Sequence, residues 1–175
     1  MKLGLLGYDR DTPELLAAAI QRGDSVVWAT EVGSHAAELR TRFPGIQLEP
    51  YWETILTGQS IDASIVAAAE PGIAVPGETL LGEDLRADQL RKLIQERIPL
   101  LVSHPICGSM LVYWELDMIR RDTECPLVPA SYVRWHPGLQ ALRQELSSAS
   151  LGTLEQVSLE RSLAHRSRPA VQAQV

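Results

Sequence analysis

Two periods alternate along most of this chain, a strand-like one of short apolar runs and a helix-like one of spaced apolar positions. Leu3, Leu5 and Leu6, with Gly4 and Gly7 among them, make a run that no charged side chain interrupts before Tyr8, as a buried strand reads. A charged turn, Asp9-Arg10-Asp11, follows, and Thr12-Pro13-Glu14 opens an apolar run from Leu15 to Ile20. Thr12 suits a helix N-cap and Pro13 the first helical position, where a missing N–H had no partner anyway. Ser25 to Thr30 reads as a second strand, ending at Glu31. A helix from Ser34 through Arg42 is closed by Phe43-Pro44-Gly45. Ile46 to Glu49 is a short third strand and Trp52 to Leu56 a helical turn. Ile61 to Ala69, nearly all small or apolar, reads as a strand covered on both faces.

Residues 70 to 85 carry Pro71, Gly72, Pro76, Gly77 and Gly82 and read as a long loop. Ala87 to Arg97 is amphipathic, with Ala87, Leu90, Leu93 and Ile94 on one face. Leu100 to Ser103 is the next buried strand, ended by His104-Pro105. From Gly108 to Arg121 a helix carries Met110, Trp114 and Met118 at spacings of four, a stripe expected to pack in the core. A strand around Leu127 to Tyr132 leads through Arg134-Trp135-His136-Pro137 into a helix ending near Leu146. Strands and helices alternating at this spacing predict an α/β fold, a parallel doubly wound sheet with right-handed crossovers. After Gly152 the pattern changes: Val157, Leu159 and Leu163 alternate with Gln156, Ser158, Glu160 and Ser162, as on a half-buried antiparallel strand. The division expected is therefore one α/β domain over residues 1–150, with 151–175 as the opening strand of an α+β domain and a loose tail.

Composition narrows the function classes. A formal charge of −6 argues against nucleic acid or an anionic membrane as partner, since both call for a basic surface. No apolar run is long enough to span a bilayer, and the N-terminal run is too short for a secretory core. Cys107 and Cys125 make no disulfide framework, so a reducing cytoplasm is the expected location. His104, Cys107, Cys125 and His136 lack metal-ligand spacing, and no metal is expected. Gly108-Ser109 lacks the flanking glycines of a nucleophile elbow, and no Walker lysine motif occurs.

Strand, glycine turn and helix N-terminus are how a dinucleotide-binding domain begins. With its elements in this order, the chain resembles the Gfo/Idh/MocA oxidoreductases over roughly residues 2 to 163. Lys2-Leu3-Gly4-Leu5-Leu6-Gly7 is similar to the family's first strand and first fingerprint glycine. Glu31 falls where the family keeps an acidic residue for the adenosine ribose. Ile65-Val66-Ala67-Ala68-Ala69 is similar to its fourth strand, and Leu101-Val102-Ser103-His104-Pro105 takes the place of its Glu-Lys-Pro. Arg134, Pro137 and Leu151-Gly152 look like its passage into the substrate domain. The resemblance implies a Rossmann-like domain followed by the start of a truncated α+β domain. It also implies NAD(P)-dependent hydride transfer on a sugar- or polyol-like substrate. On that template Gly7, Tyr8, Asp9 and Arg10 would lie over the diphosphate, and Glu31 on the ribose. Ala68, Ala69 and Ser103 would lie along the cofactor, and His104 would be the catalytic acid or base. Glu31 would disfavour a 2′-phosphate, so NAD is expected over NADP.

Three departures bear on activity. The fingerprint's second glycine is Asp9, which puts bulk and charge where backbone should approach a diphosphate. At an assumed ~6 Å and an effective dielectric near 20, two like charges repel by roughly 3 kcal/mol, about a hundredfold in affinity. The alternative reading is that Asp9 or Asp11 simply complements the helix dipole, stabilising by about 0.3–1 kcal/mol. His104 replaces the family's lysine; it can move protons near neutrality but is not a permanently charged ammonium. The family's catalytic aspartate and histidine of the substrate domain have no match here. Two functions are therefore open: an oxidoreductase with weakened or lost activity, or a non-catalytic binding or interaction module derived from that family. A strand at 154–163 with open edges would favour pairing with a second copy.

Overall fold

The computed structural model describes residues 1–57, 60–68, 82–103, 106, 109–131 and 136–148. The chain divides into two compact units, Met1–Ser131 and Tyr132–Val175. In the first, parallel strands β1 (Lys2–Leu6), β2 (Ser25–Thr30), β3 (Gln47–Glu49), β4 (Ala63–Val66), β5 (Leu100–Ser103) and β6 (Leu127–Ala130) form one sheet in the order β3-β2-β1-β4-β5-β6. The helices are α1 (Thr12–Gln21), α2 (Ala36–Arg42), α3 (Thr54–Thr57), α4 (Gly82–Gln95) and α5 (Met110–Thr123). The doubly wound α/β arrangement expected from the alternation is the one found. Its strand order changes direction between β1 and β4, the place where such sheets open a crevice for ligands.

Strand β1 has both edges paired, to β2 and β4, and a hydrophobic cluster on each face, so an unbroken apolar run is what the position requires. Leu3 and Leu5 join the cluster built with Leu16, Ala19 and Leu39 of α1 and α2. Leu6 joins the opposite cluster, with Leu90, Leu93 and Ile94 of α4 and the fully buried Trp28. Gly4 leaves room for a close neighbour: a Cβ there would stand 3.0 Å from Ile61 Cδ1 and 3.2 Å from Ile55 Cδ1.

Helix α5 corrects one expectation. Met110, Trp114 and Met118 are 70%, 70% and 62% exposed, while Leu116 is buried and Val112, Tyr113 and Ile119 pack against the core. At 100° per residue, Leu116 lies about 200° around the helix from both Trp114 and Met118. The helix carries two apolar stripes, and the sheet takes the one centred on Leu116.

In the second unit, α6 (Pro137–Ser147) starts at His136, whose Nδ1 accepts the Gly138 N–H at 3.2 Å. Pro137 occupies the first helical turn, where no donor is lost. The strand expected at 154–163, and pairing through it, fall outside the described residues.

Candidate functional site

The crevice at the C-terminal ends of β1, β2, β4 and β5 is where the sequence places its candidate residues. Gly7, directly after β1, is buried with φ +80 and donates its N–H to the Thr30 carbonyl at 3.0 Å. A side chain there would be strained in the left-handed region, and its Cβ would stand 2.6 Å from Arg86 Nη2. The close approach that this glycine permits is taken up by the chain's own guanidinium.

Asp9 sets the geometry of the turn. Its Oδ1 accepts the Asp11 and Thr12 N–H groups, each at 3.0 Å, and the Thr12 hydroxyl at 2.8 Å. Thr12 Oγ1 in turn accepts the Asp9 N–H at 2.9 Å. The capping carboxylate of α1 is thus Asp9, and Thr12, expected as the N-cap, lies fully buried inside the first turn as its reciprocal partner. The physical reason is reach: a carboxylate ahead of the helix takes two backbone donors at once, where a threonine hydroxyl takes one. Asp9 Oδ2 accepts the Ala68 N–H, beyond β4, at 2.9 Å, tying the turn across the sheet. Burial pushes the Asp9 pKa up. Hydrogen-bond donors from Ser103, Ala68, Thr12 and Asp11 outweigh that and hold it below the usual aspartate value. Ser103 is buried and its hydroxyl faces this carboxylate.

Glu31, at the end of β2, adopts φ +54 and is held from α4. Its Oε2 lies 3.2 Å from Arg86 Nη2 and its Oε1 accepts Gln89 Nε2 at 2.5 Å. Arg86 Nη1 donates to Gln89 Oε1 at 2.6 Å, closing the ring of three. Arg86 is only 3% exposed, so burial lowers its pKa, and Glu31 and then Asp9 oppose that shift. Its Nε has no hydrogen-bond partner among the described residues. Arg86 and Gln89 are the site residues that sequence reasoning missed. Their one signal was two polar side chains three apart at the start of an amphipathic helix, which reads as a solvated face.

The other candidates are more dispersed. Tyr8 is buried and stacks on His35, ring centroids 3.8 Å apart and planes 5° from parallel. Burial chiefly, then Glu38, raises the Tyr8 pKa. Arg10 is exposed on the turn. Gly7, Asp9, Ala68 and Ser103 come together, Glu31 joins them through Arg86, and Ala69 and His104 lie outside the described residues. Among the described residues no three His, Cys, Asp or Glu side chains could hold a metal ion. No described helix is long and apolar enough to cross a membrane.

A dinucleotide in such a crevice is gripped by a glycine it can approach, by the first amides of the helix, and by an acid on the ribose. Here Arg86 stands over the glycine, Asp9 takes the amides, and Gln89 and Arg86 take the acid. As placed, these residues do not fit a diphosphate.

No protein-family model matches the chain, and no curated protein matches it either. Solved structures do. The WlbA dehydrogenase of Bordetella pertussis, in complex with NADH and UDP-GlcNAcA, is 14% identical with a TM-score of 0.67, over 87% of this chain and 41% of that one. WlbA from Thermus thermophilus, with NAD and UDP-GlcNAcA, gives 19% and 0.63 over 85% and 47%. Biliverdin reductase from Synechocystis, with biliverdin and NADP+, gives 15% and 0.63 over 83% and 42%. The chain spans less than half the length of each of these structures. The structures matched are oxidoreductases of the Gfo/Idh/MocA type, and what this chain shares with them is the Rossmann-like α/β fold.

Proposed function

We propose that the chain is a Rossmann module of Gfo/Idh/MocA descent in which dinucleotide binding, and with it hydride transfer, is weakened or lost, leaving a binding or interaction role. The observation that carries this is the Asp9 carboxylate, seated on the Asp11 and Thr12 amides that a diphosphate would use. A diphosphate arriving there has to break those bonds and meet a carboxylate whose pKa is already depressed, hence charged at neutral pH. Glu31 is engaged in the same way, so ribose hydroxyls have to displace Gln89 and Arg86.

The older activity has its own support. WlbA structures of this fold hold NAD or NADH with a UDP-sugar, which favours a sugar-like substrate, and Glu31 at the end of β2 favours NAD over NADP. Calorimetric titration with NAD+ and NADH separates the two. A dissociation constant in the high micromolar range or weaker is expected; a low-micromolar one overturns the proposal and returns the chain to the oxidoreductases.

A further inference from the structure

Helix α5 turns an apolar face to solvent that nothing among the described residues covers. Met110, Leu111, Trp114 and Met118 are all exposed, Leu111 by 81%. At 100° per residue the four fall within about 100° of the helix surface, and Leu116, the residue the sheet takes, lies on the opposite side. Their exposed surface comes to roughly 600 Å², the upper end of the largest apolar patch on a typical monomer.

We infer that this face is an interface with a second copy of the chain, the two α5 helices lying antiparallel about a two-fold axis at Trp114. Self-complementarity is the first support, since a two-fold interface demands it of a single patch. The stripe reads the same in both directions, Met110 and Met118 each standing four residues from Trp114. In an antiparallel pair Met110 of one copy meets Met118 of the other, and the two Trp114 side chains meet at the axis. Charge is the second support. From Ser109 to Trp114 no side chain is charged, and beyond it Glu115 pairs with Arg91 at 2.7 Å and Asp117 with Arg120 and Arg121 at 2.8 and 2.6 Å. An antiparallel pair sets the charged half of each helix against the uncharged half of the other, whereas a parallel pair brings Asp117 against Asp117. Size is the third. Two such faces bury about 1,200 Å², the lower bound of a specific interface, with Trp and Met, residue types enriched in interfaces, at its centre. So small an interface implies a weak dimer, half dissociated at about 10 µM. The inference does not depend on what the crevice binds.

Sedimentation equilibrium of the full chain from about 1 to about 200 µM tests it. Wild type is expected to show a monomer–dimer equilibrium, weakened at least about tenfold by Trp114→Glu and likewise by Met118→Glu, with far-ultraviolet circular dichroism unchanged. Orientation is read by mild oxidation of single cysteines placed in a Cys107→Ser background. A mixture of Met110→Cys and Met118→Cys chains is expected to cross-link between the two kinds, in preference to either kind linking to itself. A wild type that stays monomeric at about 200 µM overturns the inference and leaves the face to another segment or another protein. A dimer that survives both glutamates also overturns it and moves the contact elsewhere, residues 154–163 included. Cysteines that link to their own kind as readily as to the other overturn the antiparallel arrangement.

Discussion

The ring of Glu31, Arg86 and Gln89 makes an asymmetric prediction about stability. Arg86 is 3% exposed, whereas the Glu31 side chain is 26% exposed, so the two charges differ in how far water can replace a lost partner. Glu31→Gln keeps the shape and an acceptor for Gln89 but leaves a buried guanidinium facing no paired carboxylate. Stranding a buried charge costs about 3–5 kcal/mol. The low end, about 3 kcal/mol, applies because Gln89 Oε1 still accepts from Arg86 at 2.6 Å and Asp9 remains nearby. Arg86→Met removes the buried charge and leaves Glu31 to be hydrated, at about 1 kcal/mol. With a urea slope near 2 kcal/mol/M, Glu31→Gln should lower the unfolding midpoint by about 1.5 M and Arg86→Met by about 0.5 M. The double variant should cost less than the sum, since it strands nothing. Arg86→Met as the more damaging single change, or a Glu31→Gln shift under about 0.3 M, would refute the assignment of the buried charge to Arg86.

Two tryptophans offer a contrast. Trp28 is fully buried with its Nε1 donating to Thr54 Oγ1 at 3.2 Å, so Trp28→Ala should cost about 3–5 kcal/mol in urea unfolding, while Trp114→Ala on the open face of α5 should stay within about 0.5 kcal/mol. Asp9 should also leave a mark on acid unfolding: its folded pKa lies below the ordinary 3.8, so the unfolded state binds the extra proton between the two values. The stability it contributes is complete above the ordinary value and lost as pH falls through the folded one, and Asp9→Asn should flatten that limb of a stability–pH curve between pH 5 and 2.

The architecture was legible because its signals are local. An uncharged run such as Leu3–Leu6 has no stable place except a covered strand, and the turn chemistry at Phe43-Pro44-Gly45 ends a helix whatever lies elsewhere. Helix α5 shows where local pattern runs out: Val112, Leu116 and Ile119 make as good a stripe as Met110, Trp114 and Met118, and only the sheet decides between them. The site was legible in its members more than in its meaning. Asp9 is visible as a charge in a turn that wants glycine, but its tie to the Ala68 amide across the sheet is not, and the grip on Glu31 comes from residues 86 and 89. Contacts of that sequence separation leave no periodicity to read.

Polar groups at the mouth of a doubly wound sheet have to find partners, since a buried donor or acceptor left alone costs about 1–3 kcal/mol. A dinucleotide domain that binds its cofactor can leave that duty to the ligand and to water. In this chain Asp9 and the Arg86–Gln89 pair do it, which under the proposed function sets binding against stability. Any substitution that frees the α1 amides or the Glu31 carboxylate for a ligand first removes hydrogen bonds that hold β1, β2, β4 and α4 together. A ligand competing for these groups must therefore supply its own contacts and also replace the ones it breaks. Under the proposed function, the four hydrogen bonds to Asp9 are what makes that exchange unfavourable for a dinucleotide.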